Sequence, residues 1–77
     1  MLKLLSAHDE KLSAILNNIR ATRKNRGYTQ AYMAQALKIS QYSYNRKETG
    51  SSGFTLTEFF KISEILKVEP VELIEYA

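Results

Sequence analysis

Residues 29–50 (TQAYMAQALKISQYSYNRKETG) constrain the fold more than any other part of the chain. Their pattern predicts two short helices, over residues 30–37 and 41–49, each preceded by a hydroxyl side chain that suits an N-cap. Gly50 follows the second helix, at the position where a left-handed residue often ends one. Because only a few residues separate the two helices, they must cross at a steep angle.

The apolar residues of this stretch indicate which faces turn inward. Met33, Ala34 and Leu37 fall on one face of the first helix. Ile39 fills the turn, and Tyr44 is the main bulky residue that points inward from the second helix. The outward face of the second helix is then a row of hydrogen-bonding side chains: Gln41, Tyr42, Ser43, Asn45 and Arg46. A helix with such a face either stays solvated or reads base edges.

The rest of the chain also shows helical periodicity and no strand alternation. A first helix is predicted over residues 9–25, with Gly27 at the left-handed position after it. Beyond the serine- and glycine-rich loop 50–54, Thr55 caps a fourth helix, and Pro70 suits the first turn of a fifth. The sequence therefore predicts a compact all-α fold of five short helices. Phe54, Phe59 and Phe60 are expected in its core, with one of them left over for a partner.

The length of 77 residues corresponds to one small domain, predicted over residues 9–77, with residues 1–8 as an arm or as the start of the first helix. The chain has no cysteine, which excludes disulfides and thiolate metal sites. The early leucines are interrupted too soon for a signal peptide, and no apolar run approaches the roughly 20 residues of a membrane span. A cytoplasmic protein without a membrane segment is expected.

Charge is distributed unevenly along the chain. Residues 1–50 contain nine basic and three acidic side chains, a net charge of +6, whereas residues 51–77 contain two basic and five acidic ones, a net charge of −3. One half is therefore suited to attract a polyanion while the other faces away from it. A chance imbalance on a solvated surface would give the same numbers, so charge alone does not decide the function.

A family resemblance lies in the pattern IRxxRKNRGYTQxxMAxxLxISxxxYxxxExG, from Ile19 to Gly50. It resembles the Cro/C1-type (Xre-like) helix-turn-helix domain of phage repressors and small bacterial regulators, and the resemblance covers residues 12–75. It implies a lambda-repressor-like fold with the helix-turn-helix as helices 2 and 3. It also implies a sequence-specific transcriptional regulator, with repression as the expected mode, whose third helix reads the major groove of duplex DNA.

The resemblance also implies roles for single residues. In the family, a residue at the position of Gln30 touches a backbone phosphate and braces the reading helix. Arg23 and Glu48 occupy positions that form an ion pair between the first helix and the end of the third. In the turn, Lys38 stands where the family usually has glycine, so the turn is either left-handed and mildly strained or differently built.

Two further departures from the family lie in the third helix. Tyr44 stands where an isoleucine or valine is usual, and Lys47 stands where a larger apolar residue is common. The packing beneath the third helix is therefore expected to be unusual.

The expected DNA contacts divide into two groups. The outward face of the third helix is expected to read bases, since carboxamides pair with adenine and arginine with guanine: Gln41, Tyr42, Ser43, Asn45 and Arg46. The remaining contacts lie at the start of the second helix and after the third, the last three on phosphates: Thr29, Gln30, Thr49, Ser51 and Ser52. Lys24 and Arg26 either reach phosphates or, as is commoner for basic residues at a helix end, are simply solvated.

No pattern points to catalysis, a metal or a cofactor; the single histidine, His8, has no second ligand at metal-binding spacing. A homodimer is expected, because a single small DNA-binding domain gives limited affinity for DNA. Its interface would be the fifth helix (Val71, Ile74 and Tyr76) or the N-terminal arm. The alternative function is a protein-interaction module, such as an antitoxin or adaptor, that keeps this fold.

Overall fold

The computed structural model describes residues 10–75, which form five helices and, within that range, no strand. Their bounds are α1 Glu10–Asn25, α2 Gln30–Leu37, α3 Gln41–Thr49, α4 Leu56–Leu66 and α5 Pro70–Ile74. The predicted all-α class with five helices is confirmed. The predicted N-terminal arm, His8 and the predicted contact residue Tyr76 lie outside the described residues.

The helix ends follow the capping residues. Thr29 and Ser40 each accept a hydrogen bond of 3.0 Å from the backbone amide three residues further on. Thr55 and Glu58 exchange two such bonds at the start of α4, of 2.9 and 3.0 Å. These side chains satisfy amides that have no partner within the helix, which is why α2, α3 and α4 begin where the sequence predicts.

Lys38, in the turn between α2 and α3, has a left-handed backbone with φ 61° and ψ 42°. Of the two turns that the sequence left open, the structure has the left-handed one. A second lysine does the same after α4, where Lys67 has φ 60° and ψ 45°. Gly27 and Gly50 are also left-handed, as their positions after helices require. The left-handed lysine after α4 was not foreseen from the sequence.

One core is built from residues of all five helices and from Phe54, which precedes α4. It contains Ile15, Leu16, Ile19, Met33, Ala34, Leu37, Tyr44, Phe54, Phe59, Ile62, Leu66 and Leu73, all buried. The rings of Tyr44 and Phe54 lie 5.8 Å apart, so the tyrosine fills the space beneath α3 with aromatic contacts. Ala34 of α2 is 2% exposed.

Of the three phenylalanines expected in the core, Phe60 is the one that lies outside it. Its side chain is 51% exposed, whereas Phe54 and Phe59 are buried. Leu56, one turn earlier on α4, is also exposed. Both lie on the side of α4 that no other described helix covers, because Phe59, Ile62 and Leu66 already occupy its inner face.

The short helix α5 packs against α1. The Asn18 carboxamide of α1 donates hydrogen bonds to the backbone carbonyls of Leu73, at 2.9 Å, and Glu75. Leu73 is buried, while Val71 and Ile74 remain exposed. None of the helices within residues 10–75 combines the length and apolar character needed to cross a bilayer.

Candidate nucleic-acid interface

The outer face of α3 is polar and open to solvent. Gln41, Tyr42, Asn45, Arg46 and Thr49 are exposed, and Ser43 is half-buried. On the opposite face Tyr44 and Glu48 are fully buried. The structure therefore brings the five side chains expected to read bases onto one continuous surface of a single helix.

Tyr42 and Arg46 are neighbours on this face, one helical turn apart. The guanidinium carbon of Arg46 lies 5.7 Å from the centre of the Tyr42 ring. This distance is within the range of a cation–π interaction, which at an exposed site contributes about 0.5–1 kcal/mol. The contact restricts the Arg46 side chain before any ligand binds.

Glu48 lies beneath α3 at the centre of a buried polar cluster. Arg23 of α1 donates two hydrogen bonds to its carboxylate, from Nε to Oε2 at 2.8 Å and from Nη2 to Oε1 at 3.2 Å. The Tyr44 phenol donates a third, of 2.6 Å, to Oε2. Because both charges are buried, removing one partner is expected to cost about 3–5 kcal/mol.

The protonation of Glu48 follows from these contacts. Burial alone would raise its pKa, but the hydrogen bonds from Arg23, Tyr44 and Gln30 together outweigh burial and hold the pKa below its usual range. Burial, reinforced by the adjacent carboxylate, raises the pKa of Tyr44. At neutral pH the pair is thus a carboxylate that accepts from a neutral phenol.

Gln30 connects this buried cluster to the exposed face. Its Nε2 donates to Glu48 Oε1 at 3.0 Å, and its Oε1 accepts from Asn45 Nδ2 at 3.2 Å. Gln30, at the start of α2, is thus joined by two hydrogen bonds to residues of α3. Thr29, beside it, uses its hydroxyl to cap α2.

Two arginines of α1 also donate to backbone carbonyls, one in α3 and one before α2. Arg20 Nη2 donates to the backbone carbonyl of Glu48 at 3.1 Å, near the C-terminal end of α3. Arg23 Nη1 donates to the carbonyl of Tyr28, at 2.9 Å, in the connection between α1 and α2. The contact from Arg20 was not foreseen, although its position one turn before Arg23 was a signal that both face α3.

Arg26, expected from the sequence either to reach a phosphate or to be solvated, has a structural role at the end of α4. Its Nε and Nη2 donate to the carbonyls of Leu66, at 2.8 Å, and Lys67, at 3.2 Å. These bonds satisfy the carbonyls at the C-terminal end of α4, where a cation also interacts favourably with the helix dipole. The guanidinium is therefore held against the end of α4 and is not simply solvated, although the Arg26 side chain is exposed.

Lys47 shapes the loop after α3. Its Nζ lies 3.1 Å from the carbonyl oxygen of Gly53 and 3.2 Å from Glu58 Oε1. Sequence reasoning marked this lysine only as a departure from an apolar position, and its role in holding the loop was missed. An acidic residue three positions into α4 was the available signal.

The remaining predicted contacts lie around this loop. Ser51 is exposed, and the Ser52 amide donates to the carbonyl of Arg46 at 3.1 Å. The Thr49 hydroxyl donates to the carbonyl of Asn45 at 2.8 Å, within its own helix. The loop therefore presents a serine beside the C-terminal end of α3, while the threonine hydroxyl is already engaged.

Two comparisons with known proteins bear on this surface. A sequence profile described as helix-turn-helix matches residues 19–73. The chain is 39% identical over 62 residues to the HTH-type transcriptional regulator DicA of Escherichia coli (strain K12). The match covers 80% of this chain and 46% of that relative, so the chain spans about half the relative's length. No solved structure matches the chain.

Proposed function

The chain belongs to the Cro/C1-type helix-turn-helix family, and from this premise we propose that it binds duplex DNA and regulates transcription, with repression as its mode. The observation that carries the proposal is the contrast between the two faces of α3. The outer face presents hydrogen-bonding side chains to solvent, and the inner face is anchored by the buried carboxylate of Glu48.

In the proposed mechanism, nonspecific attraction precedes base reading. Exposed cations such as Lys24, Lys38 and Arg46 attract the phosphates, and this part of the affinity falls with added salt because bound cations are released. Gln30 and the loop at Ser51 and Ser52 set the register on the backbone. The outer face of α3 then enters the major groove, where Asn45 and Arg46 contact base edges.

A repressor of this size is expected to act as a symmetric dimer on a pseudo-palindromic operator. The exposed Val71 and Ile74 of α5 form an apolar surface that is suited to a second copy. Tyr76 and the N-terminal arm, which also belong to the predicted interfaces, lie outside the described residues. The expected cytoplasmic location stays a prediction.

A second candidate function is a protein-interaction module of the antitoxin or adaptor kind. Its support is the exposure of Leu56 and Phe60 on α4, which a partner protein would cover. In that case the polar face of α3 would be solvated surface and would make no base contacts.

Electrophoretic mobility-shift titration separates the two functions. The full chain is titrated into random-sequence duplex at low and at moderate salt, and a selection from a random duplex library then tests for preferred sequences. The DNA-binding proposal expects binding at low salt, weakening as salt rises, and an enriched motif. Absence of binding at low salt, or binding that ignores salt, would favour the interaction module.

Two substitutions serve as controls in this titration. Arg46→Ala removes an exposed base-reading candidate on α3, whereas Lys61→Ala removes an exposed cation of α4 in the acidic half of the chain. The proposal expects the first change to weaken binding to the enriched motif and the second to leave it within about twofold. Equal effects would show that net charge, and not the face of α3, governs binding.

A further inference from the structure

The Gln30 and Asn45 carboxamides are linked where α2 begins and α3 faces solvent. Asn45 Nδ2 donates to Gln30 Oε1 at 3.2 Å. Gln30 is half-buried, while Asn45 is exposed. The link therefore joins a candidate base reader to a side chain that reaches into the protein.

The hydrogen bond to Glu48 determines the orientation of the Gln30 carboxamide. An ionised carboxylate only accepts hydrogen bonds, and it has about four acceptor positions. Here they are filled by two donors of Arg23, by the Tyr44 phenol and by Gln30 Nε2. Gln30 must therefore present its NH₂ group to Glu48, which leaves its oxygen directed toward Asn45.

The orientation of Gln30 in turn fixes that of Asn45. Since Gln30 presents its carboxamide oxygen to α3, Asn45 must donate to it from its NH₂ group. Asn45 then keeps one N–H and its Oδ1 for a ligand, and Oδ1 accepts no hydrogen bond from the other described residues. A donor beside an acceptor complements the N7 and N6 of adenine in the major groove, whereas guanine presents two acceptors there.

We propose that Gln30, held by Glu48, orients the Asn45 carboxamide so that it selects adenine at one base pair of the operator. Gln30 is thus a positioning residue for sequence reading, in addition to any phosphate contact that it makes. The inference rests on the proposed function, because it concerns how the same surface distinguishes DNA sequences. A side chain that is oriented before binding also loses less conformational freedom when it meets the base.

The test compares sequence preferences instead of overall affinity. Motifs are selected from a random duplex library with the wild-type chain, and Asn45→Ala identifies the base pair at which the adenine preference is lost. Gln30→Ala is then expected to lower the preference at that same base pair by about tenfold. The double variant is expected to show little further loss there, since the two side chains act as one unit.

Gln41→Ala provides the matched control. Gln41 is also an exposed carboxamide on α3, and none of the hydrogen bonds of the Glu48 cluster involves it. Its removal is expected to affect a different base pair and to combine additively with Gln30→Ala. Gln30→Met, which keeps the length of the side chain without its hydrogen bonds, is measured alongside and is expected to behave like Gln30→Ala.

The outcomes are separable. If the wild-type chain selects a motif but the Gln30 variants weaken all sequences alike, Gln30 is a phosphate contact only and the inference is overturned. A preference for a base other than adenine at the Asn45-dependent position, or no such position, also overturns it. If the wild-type chain binds no duplex at low salt, the proposed function itself fails.

Discussion

The Tyr44 phenol donates a hydrogen bond of 2.6 Å to Oε2 of Glu48, one turn further along α3. This bond explains why a tyrosine is accommodated on the inner face of the helix, where the family usually has an aliphatic residue. The ring packs against Phe54 in the core, and the hydroxyl supplies one of the donors that the buried carboxylate requires. The tyrosine therefore joins core packing to the anchoring of α3.

Tyr44→Phe is expected to lower the free energy of unfolding by about 1.5–3 kcal/mol. The change removes a donor to a buried, charged acceptor while it keeps the aromatic packing. Urea unfolding followed by circular dichroism measures the difference. Tyr32→Phe is the matched control, because Tyr32 is 47% exposed and its loss of a hydroxyl should change stability by less than about 0.5 kcal/mol. Equal stability of the Tyr44→Phe and wild-type proteins would contradict the assigned role.

The lowered pKa of Glu48 predicts a loss of stability in acid. A carboxyl whose pKa is lower in the folded than in the unfolded protein stabilises the fold fully above the unfolded value of about 4.3. That contribution is lost as the pH falls from there toward the folded-state pKa. Urea midpoints measured between pH 7 and pH 2.5 should therefore decline more steeply for the wild type than for Glu48→Gln.

The comparison with Glu48→Gln isolates this carboxyl from the other acidic groups. The variant is expected to be less stable at pH 7, because it leaves the buried Arg23 without its counter-charge. The stability difference between the two proteins should shrink as the pH falls. A difference that stays constant from pH 7 to pH 2.5 would show that Glu48 does not titrate with folding.

Replacing either of the two left-handed lysines with glycine is expected to raise the stability of the protein. Lys38→Gly and Lys67→Gly should each stabilise the protein by about 0.5–1 kcal/mol, because glycine adopts positive φ without strain and this gain exceeds its entropic cost. Thermal unfolding measures both variants. Only Lys38→Gly should also reduce the salt dependence of DNA affinity, since Lys38 lies in the turn before α3, the helix proposed to contact DNA. A stability loss in both variants would contradict the prediction.

Arg46→Ala and Ser51→Ala are expected to affect DNA binding in different ways. Loss of Arg46, on the outer face of α3, should relax the preference at one or two base pairs and cost about 1–3 kcal/mol of specific binding. Loss of the exposed Ser51 hydroxyl should weaken all sequences alike, because a phosphate contact carries no sequence information. Library selection with each variant measures this, and unchanged specificity without Arg46 would refute the assigned register of α3.

The proposed dimer through α5 predicts that Ile74→Glu makes the protein monomeric. The substitution places a charge in the apolar surface that Ile74 and Val71 form on α5, where a second copy would have to desolvate it. Sedimentation equilibrium at high micromolar concentration, with and without operator DNA, measures the state of both proteins. Phe60→Glu on α4 is the control. A monomeric wild type under all of these conditions would exclude a dimer through α5.

Much of the fold was predictable because its determinants are local. The bounds of α2 and α3 agree with the sequence prediction, since Thr29 and Ser40 act on amides only three residues away. The inward direction of Tyr44 follows from helical periodicity alone. The same local rules did not separate Phe59 from Phe60, because both lie in α4 and only the packed core shows which of them it has room for.

The sequence by itself determined the five helices, the pair α2 and α3, and the polar residues that share the outer face of α3. The tertiary structure alone decided what supports that face. Arg23 meets Glu48 across 25 residues of chain, Arg26 caps α4 across 40, and Gln30 meets Asn45 across 15. Burial makes the pairing of Arg23 with Glu48 obligatory, because a buried charge must be satisfied by a partner that folding brings within reach. The bonds of Arg26 and Asn45, whose side chains are exposed, likewise join residues that only the tertiary structure brings together.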